Sequence, residues 1–202
     1  METKRKLLLF VLLFASTFSY GQVIGIKTNA LMDAFKIMNL GTEFSVGKRS
    51  TIDVLAAYNP FKGSSFTNNQ GERIKEMYKV LGVQPEYRYW FCDKFNGSFI
   101  GVHLHGGVYQ FAGMKHFDLP FNIFDNVPDY RYKGYFYGGG ISYGYQWILG
   151  KHWNLEGNIG VGYARIHYKK YACAECGDKL GTGNYNYFGP TKAALSLIYF
   201  IK

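Results

Sequence analysis

From Tyr135 to Trp147 the chain reads Y-F-Y-G-G-G-I-S-Y-G-Y-Q-W. The odd positions Tyr135, Tyr137, Ile141, Tyr143, Tyr145 and Trp147 are aromatic or branched apolar, with Gly139 breaking the series. The even positions from Gly138 onward are Gly138, Gly140, Ser142, Gly144 and Gln146. A period of two is that of a β-strand with one apolar face and one small, polar face. In a soluble sandwich the aromatics would form the core and the small face would meet water. The leader, the strand count and the loop lengths of this chain predict the opposite, with aromatics against lipid and Gly, Ser and Gln facing a narrow lumen.

Lys4, Arg5 and Lys6 form a basic start, and Leu7 to Phe18 form an apolar run of 12 residues. That run falls short of the roughly 20 residues a membrane-crossing helix needs. Ser19-Tyr20-Gly21 supplies small residues at both specificity positions of a cleavage site. Residues 1–21 therefore read as a secretory signal peptide, with 22–202 as one barrel domain starting at Gln22. No cysteine follows the apolar run, which argues against a lipid anchor, and no later stretch has the length of a membrane helix. Phe, Tyr and Trp number 17, 18 and 3 in 202 residues, with 25 Gly and only 5 Pro. Barrels use such aromatics for two interfacial girdles. The formal charge is +9, and losing Lys4, Arg5, Lys6 and Glu2 leaves 20 basic against 13 acidic residues, or +7. The expected anionic partners are membrane lipid phosphates. Nucleic acid fits poorly, because the basic residues form no stripe and the chain is exported.

The alternation predicts an all-β fold, an eight-stranded antiparallel up-and-down transmembrane β-barrel in the cell outer membrane. Its strands fall near residues 23–31, 39–47, 50–59, 78–91, 97–112, 133–149, 152–168 and 187–201. Tight connections at Gly47 to Ser50, Cys92 to Gly97 and Gly150-Lys151 alternate with a medium loop (32–38) and three long ones (60–77, 113–132, 169–186). Short turns at one end and long loops at the other match an even-stranded barrel with both termini in the periplasm. Pro85 interrupts the fourth strand, where it predicts an edge or a bulge. Leu195, Leu197, Tyr199 and Ile201 share one face of the last strand. Phe200, an aromatic near the C-terminus, resembles the signal read by barrel assembly machinery, although Lys202 follows it.

Collecting the other face of each strand gives one constellation. Lys27, Arg88 and Lys192 are basic, Glu43, Asp53, Glu86 and Glu156 are acidic, and His103 and His105 lie among them. An eight-stranded barrel is just wide enough for side chains to fill it. Charges enclosed there must pair, because an unpaired buried ion costs several kcal/mol. The expectation is a salt-bridged lumen with no open pore. A gated ion or proton path and a metal site on His103 and His105 are the rival readings, and neither a metal nor a cofactor is expected. Cys173-Ala-Glu-Cys176 in the last long loop reads as a loop disulfide, with free or intermolecular thiols as the alternative; Cys92, in a tight turn at the other end, cannot reach it. Arg131, Lys133, Arg165, Lys169 and Lys170 fall near the predicted outer rim, where they could hold glycolipid phosphates or remain solvated. Tyr168, Tyr171, Tyr185 and Tyr187 beside them fit an interfacial girdle or a carbohydrate contact. His116 sits among Phe111, Phe117, Phe121 and Phe124 and reads as loop packing. A lipid-modifying enzyme would need a rim histidine with a partner. His167 and His116 are the two rim histidines; no serine stands near either, and Glu175 is the acid downstream of His167. The chain is therefore not read as an enzyme.

The segments Lys27-Thr28-Asn29-Ala30-Leu31, Asn39-Leu40-Gly41-Thr42-Glu43, Val83 to Phe91 (V-Q-P-E-Y-R-Y-W-F) and Gly138 to Trp147 resemble an uncharacterised family of Bacteroidetes outer-membrane barrels, the domain of unknown function family 3575. The resemblance covers nearly the whole mature chain, and Q-P-E-x-R-Y-W is its most specific part. It implies an exported eight-stranded barrel, with members sometimes encoded near fimbrial genes, and it carries over no catalytic residues. The expected function is structural or adhesive, a monomer that meets an extracellular protein or glycan through its long loops. The alternatives are a lipid-modifying enzyme and an accessory of fimbrial assembly.

Overall fold

The computed structural model describes residues 23–67, 73–113, 130–172 and 178–201. The strands are β1 (Ile24–Asn29), β2 (Met38–Ser45), β3 (Ser50–Thr67), β4 (Arg73–Trp90), β5 (Gly97–Ala112), β6 (Arg131–Ile148), β7 (Trp153–Tyr171) and β8 (Lys179–Ile201), with a short helix α1 (Ala30–Ala34) between β1 and β2. Each strand pairs antiparallel with the next, and β1 pairs with β8, so the sheet closes as a ring. The all-β, eight-stranded antiparallel barrel expected from the alternation is what forms.

The ring is lower on one side. β2 reaches only to the pair Met38–Tyr58 on β3, and β1 only to Asn29–Ser196 on β8. Beyond those pairs β3 to β8 continue toward the long-loop end as a six-stranded sheet. This corrects the expected loop lengths. Most of 60–77 is ribbon, because β3 runs through Thr67 and β4 starts at Arg73, with a register shift between Lys62 and Ser65 taking up Gly63 and Ser64. Much of 169–186 is ribbon too, since β7 ends at Tyr171 and β8 starts at Lys179. The 32–38 loop carries the end of α1. Asn29 caps that helix, its Oδ1 accepting from Leu31 N at 3.1 Å while its Nδ2 donates to Ala193 O on β8 at 3.1 Å.

Three tight turns close the opposite end. Ser50 O accepts from Val46 N and Gly47 N, and Trp153 O accepts from Leu149 N and Gly150 N. The third turn holds Phe95 at φ 65° and Gly97 at φ 82°. The left-handed region costs a side-chain-bearing residue roughly 1–2 kcal/mol. Phe95 is held there by burial, for its ring packs with Trp90, Phe99, Ile198 and Phe200 into an apolar plug across this end of the lumen. Gly144 faces Phe99, whose ring occupies the space a Cβ would need. Phe200 thus points inward, while Tyr199 and Ile201 take the outer face. Pro85 forms no bulge. The β4–β5 ladder lapses between Val83–Gly106 and Glu86–His103 without shifting register, as a residue without an N–H requires. A bulge falls instead on β8, at Thr191, between the pairs Gly160–Lys192 and Val161–Pro190.

The two faces have opposite chemistry to a water-soluble protein. Leu40, Leu81, Val102, Leu104, Ile141, Ile159 and Phe188 are among many large apolar side chains exposed on the outside. Lys27, Glu43, Asp53, Glu86, Arg88, Glu156 and Lys192 are buried inside.

Candidate functional site

Alternation on β1, β2, β3, β4, β7 and β8 brings seven ionic side chains to one level of the lumen, directly above the apolar plug. Arg88 is its centre. Its Nη1 lies 2.9 Å from Glu43 Oε2 and 2.7 Å from Glu156 Oε2, and its Nη2 lies 2.9 Å from Asp53 Oδ2 and 2.9 Å from Glu156 Oε1. Its Nε lies 2.5 Å from Glu86 Oε2, so all four carboxylates touch one guanidinium. The planar, five-donor fork of arginine makes this possible, where a lysine has three donors on one nitrogen. Lys27 Nζ donates to Glu43 at 3.0 Å and Glu156 at 3.3 Å, and lies 3.0 Å from Asp53 Oδ1. Lys192 Nζ donates to Glu86 Oε2 at 2.9 Å.

Four carboxylates face three cations, and neutral donors complete the shell. Thr51 Oγ1 donates to Glu43 Oε1 at 2.7 Å, Ser142 Oγ to Glu86 Oε1 at 2.5 Å, and Gln146 Nε2 to Glu156 Oε2 at 3.3 Å. Gly101 leaves the room that the Glu86–Ser142 contact fills. Trp90 Nε1 donates to Thr51 Oγ1 at 2.9 Å, tying the plug to the ionic layer. The Arg88 guanidinium also sits 4.5 Å from the centre of the Phe99 ring. Thr51→Val keeps the shape but strands two buried groups, Glu43 Oε1 and Trp90 Nε1. It is expected to cost about 1–3 kcal/mol for each, measured by denaturant unfolding, with Thr51→Ser close to the parent.

His103 and His105 stand one step toward the long-loop end, rings 5.7 Å apart. His103 Nε2 shares a 2.9 Å hydrogen bond with Thr191 Oγ1, the bulged residue of β8. Among the described residues, His, Cys, Asp and Glu form no group suited to a metal ion. Every residue of the expected lumen constellation is therefore on the inner face, seven in one network and the two histidines beside it. The alternation placed Ser142, Gln146 and Asn154 on the lumen face without assigning them to the network, where Asn154 Nδ2 donates to Gln146 Oε1 at 3.0 Å; Thr51 and the plug residues Trp90, Phe99 and Phe200 were missed. The parity of Thr51 with Asp53, Trp90 with Arg88, Phe99 with His103 and Phe200 with Lys192 was the available signal.

The five basic rim residues separate. Lys133, Arg165 and Lys169 are exposed on the outer face. Arg131 stacks on the Tyr171 ring at 4.6 Å. Lys170 falls on the opposite face, with Nζ 3.7 Å from the centre of the Tyr130 ring, because an odd–even step along β7 reverses the side. His167 stacks on Tyr135 at 4.9 Å, and its Nδ1 shares a 2.8 Å hydrogen bond with Asn184 Oδ1. That is an amide partner, and it supplies neither a nucleophile nor an acid. Cys92 is exposed in the tight turn after β4. The predicted signal peptide, His116 and its neighbours Phe117, Phe121 and Phe124, Glu175, and the expected disulfide of Cys173 and Cys176 lie outside the described residues.

A family model described as a protein of unknown function, DUF3575, matches residues 7–201. No curated protein matches the chain.

Proposed function

We propose, from the premise that this chain belongs to the DUF3575 family, that it is an outer-membrane β-barrel whose role is structural or adhesive. The observation that carries the reading is the inverted distribution of polarity. The enclosed space holds four carboxylates and three cations, while the outer wall carries Leu81, Val102, Leu104, Ile141 and Ile159 in continuous apolar rows. In water such a wall would expose apolar surface all round a small domain, which favours association. Against lipid it is the side that lowers the free energy, and the closed ring satisfies the backbone groups that lipid cannot. Tyr143, Tyr145, Trp147, Trp153 and Tyr199, exposed near the tight turns, fit an interfacial girdle.

The ionic layer and the apolar plug fill the lumen at two successive levels, so this reading assigns the protein no open pore and no transport. The same reading assigns it no catalysis, and the pairing of His167 with the Asn184 amide is in keeping with that. Contact with other molecules is left to the long-loop end and to the outer wall. Barrel assembly machinery inserts the chain as a monomer.

The test is a gel of the outer-membrane fraction, unboiled against boiled. The expected result is co-fractionation with the outer membrane and a mobility shift on boiling. Recovery in the soluble periplasmic fraction, with no shift, would overturn the reading.

A further inference from the structure

Outward side chains of neighbouring strands line up in rows, and two of these rows near the long-loop end differ sharply. The first runs Tyr58, Leu81, Val108, Tyr135, His167, each paired with the next across adjacent strands. The second, one step farther from the ionic layer, runs Pro60, Lys79, Gln110, Lys133, Lys169, Thr182. An apolar and aromatic row thus gives way at once to a basic one.

Among the described strand residues, no carboxylate answers that charge. Glu43, Asp53, Glu86 and Glu156 are all buried inside, and alternation puts Glu76 on the inner side with them. Among the described residues, no carboxylate of the strands faces outward, and Lys79, Lys133, Arg165 and Lys169 make no ion pair. Lys133 and Lys169 are direct cross-strand partners. Like charges placed opposite each other destabilise a sheet pair. The two rows also border a cavity of about 700 Å³ whose lining includes Tyr58, Lys79, Leu81, Lys133, Tyr135 and Lys169.

We propose that this row is a binding site for an amphiphile carrying more than one phosphate, a phosphorylated glycolipid of the outer leaflet, with its phosphates on Lys79, Lys133 and Lys169 and its acyl chains against Leu81 and Val108. The inference rests on the membrane reading above. With strands about 4.8 Å apart, the three lysines span roughly 14 Å across four strands, wider than a single phosphate. Two phosphates use the whole row and also relieve the Lys133–Lys169 repulsion. Tyr58 and Tyr135 lie where head group meets chain, as interfacial tyrosines do. Arg165, one step below the His167 row, pairs across with Tyr137 and Asn186. Its stem can lie along apolar surface with the guanidinium reaching up toward the same phosphates.

The experiment is native mass spectrometry of the full chain folded in detergent micelles, titrated with bisphosphorylated lipid A, monophosphorylated lipid A and inorganic phosphate. The bisphosphorylated lipid is expected to bind at least roughly tenfold tighter than the monophosphorylated one, with millimolar inorganic phosphate failing to compete. Each phosphate contacted by a close pair of cations contributes on the order of a tenfold change. The triple variant K79Q/K133Q/K169Q is expected to lose that preference while keeping its heat-modifiable mobility. K48Q/K151Q, at the tight-turn end, is expected to bind as the parent does. A folded barrel that binds both lipids equally, a triple variant with the parent's preference, or full competition by inorganic phosphate would overturn this inference alone. A chain that is folded and monodisperse in buffer without detergent would overturn the membrane reading and this inference with it.

Discussion

Arg88→Met is expected to destabilise the barrel by about 3–5 kcal/mol, the cost of breaking a buried ion pair by removing one partner. The geometry argues for the upper end. The substitution removes one cation from contact with Glu43, Asp53, Glu86 and Glu156, leaving Lys27 and Lys192 against four buried carboxylates. Methionine fills much of the space beside Phe99, so the loss is chiefly electrostatic. Arg88→Lys is expected to recover only part of it, because one ammonium cannot reach carboxylates on β2, β3, β4 and β7 together. Adding Glu156→Gln to Arg88→Met should return stability, since it removes one of the stranded charges. A positive coupling of that kind in a double-mutant cycle, read by denaturant unfolding in micelles, identifies the network as the source. A cost within about 1 kcal/mol for Arg88→Met would mean the enclosed charges are solvated as surface pairs are.

Ile141→Arg has the second large expected effect, and it separates lipid from water as the solvent of the outer wall. Ile141 lies between Val102 on β5 and Val161 on β7, and it is 64% exposed. On a soluble protein so exposed a site usually changes stability by no more than about 0.5 kcal/mol. On the lipid face of a barrel, arginine costs about 2–4 kcal/mol near the midplane and about 0–1 near the interfaces. Thr182→Arg, in the basic row at the long-loop end, is the comparison; although it faces Lys169 across the pair, its cost is expected to stay within about 1 kcal/mol. Folding yield and unfolding midpoint in lipid vesicles read both. Equal and small effects at the two positions would place the wall in water.

The inner constellation was legible because a period of two allows no drift. Once Tyr87 and Tyr89 face out, Glu86 and Arg88 must face in, and the same rule on β1, β2, β3, β7 and β8 delivers the other five ionic partners. Four of the seven ionic partners, Lys27, Glu43, Glu86 and Arg88, lie in segments that carry the family resemblance. Lys27 and Asn29 come from the first, Glu43 from the second, and Glu86, Arg88 and Trp90 from the third. The strand ends were not legible. N-P-F-K-G-S-S-F-T after Tyr58 has the composition of a turn, yet it pairs with β4 once a register shift takes up Gly63 and Ser64. K-L-G-T-G-N-Y-N-Y before Phe188 is polar enough to read as a loop. Its period of two is in size rather than polarity, with Gly183 leaving room for the Tyr168 ring across the pair. Lys79 escaped notice for a related reason. Its charge has meaning only beside Lys133 and Lys169, and that row depends on registers across β4 to β7 that no single strand reveals.

The central claim is that the ionic face is enclosed and the aromatic, aliphatic face meets acyl chains. Trp90, Trp147 and Trp153 are the chain's three tryptophans, and Trp90 is fully buried in the lumen plug. In a chain carrying Trp147→Phe and Trp153→Phe, Trp90 alone reports from the inside, and a further Ile141→Trp adds one indole on the outer wall. With both chains folded into vesicles of brominated-acyl lipid, the account predicts little quenching when Trp90 is the sole tryptophan, and strong quenching of the added indole at 141. Strong quenching of Trp90, or an unquenched indole at 141 with the emission of tryptophan in water, would contradict it.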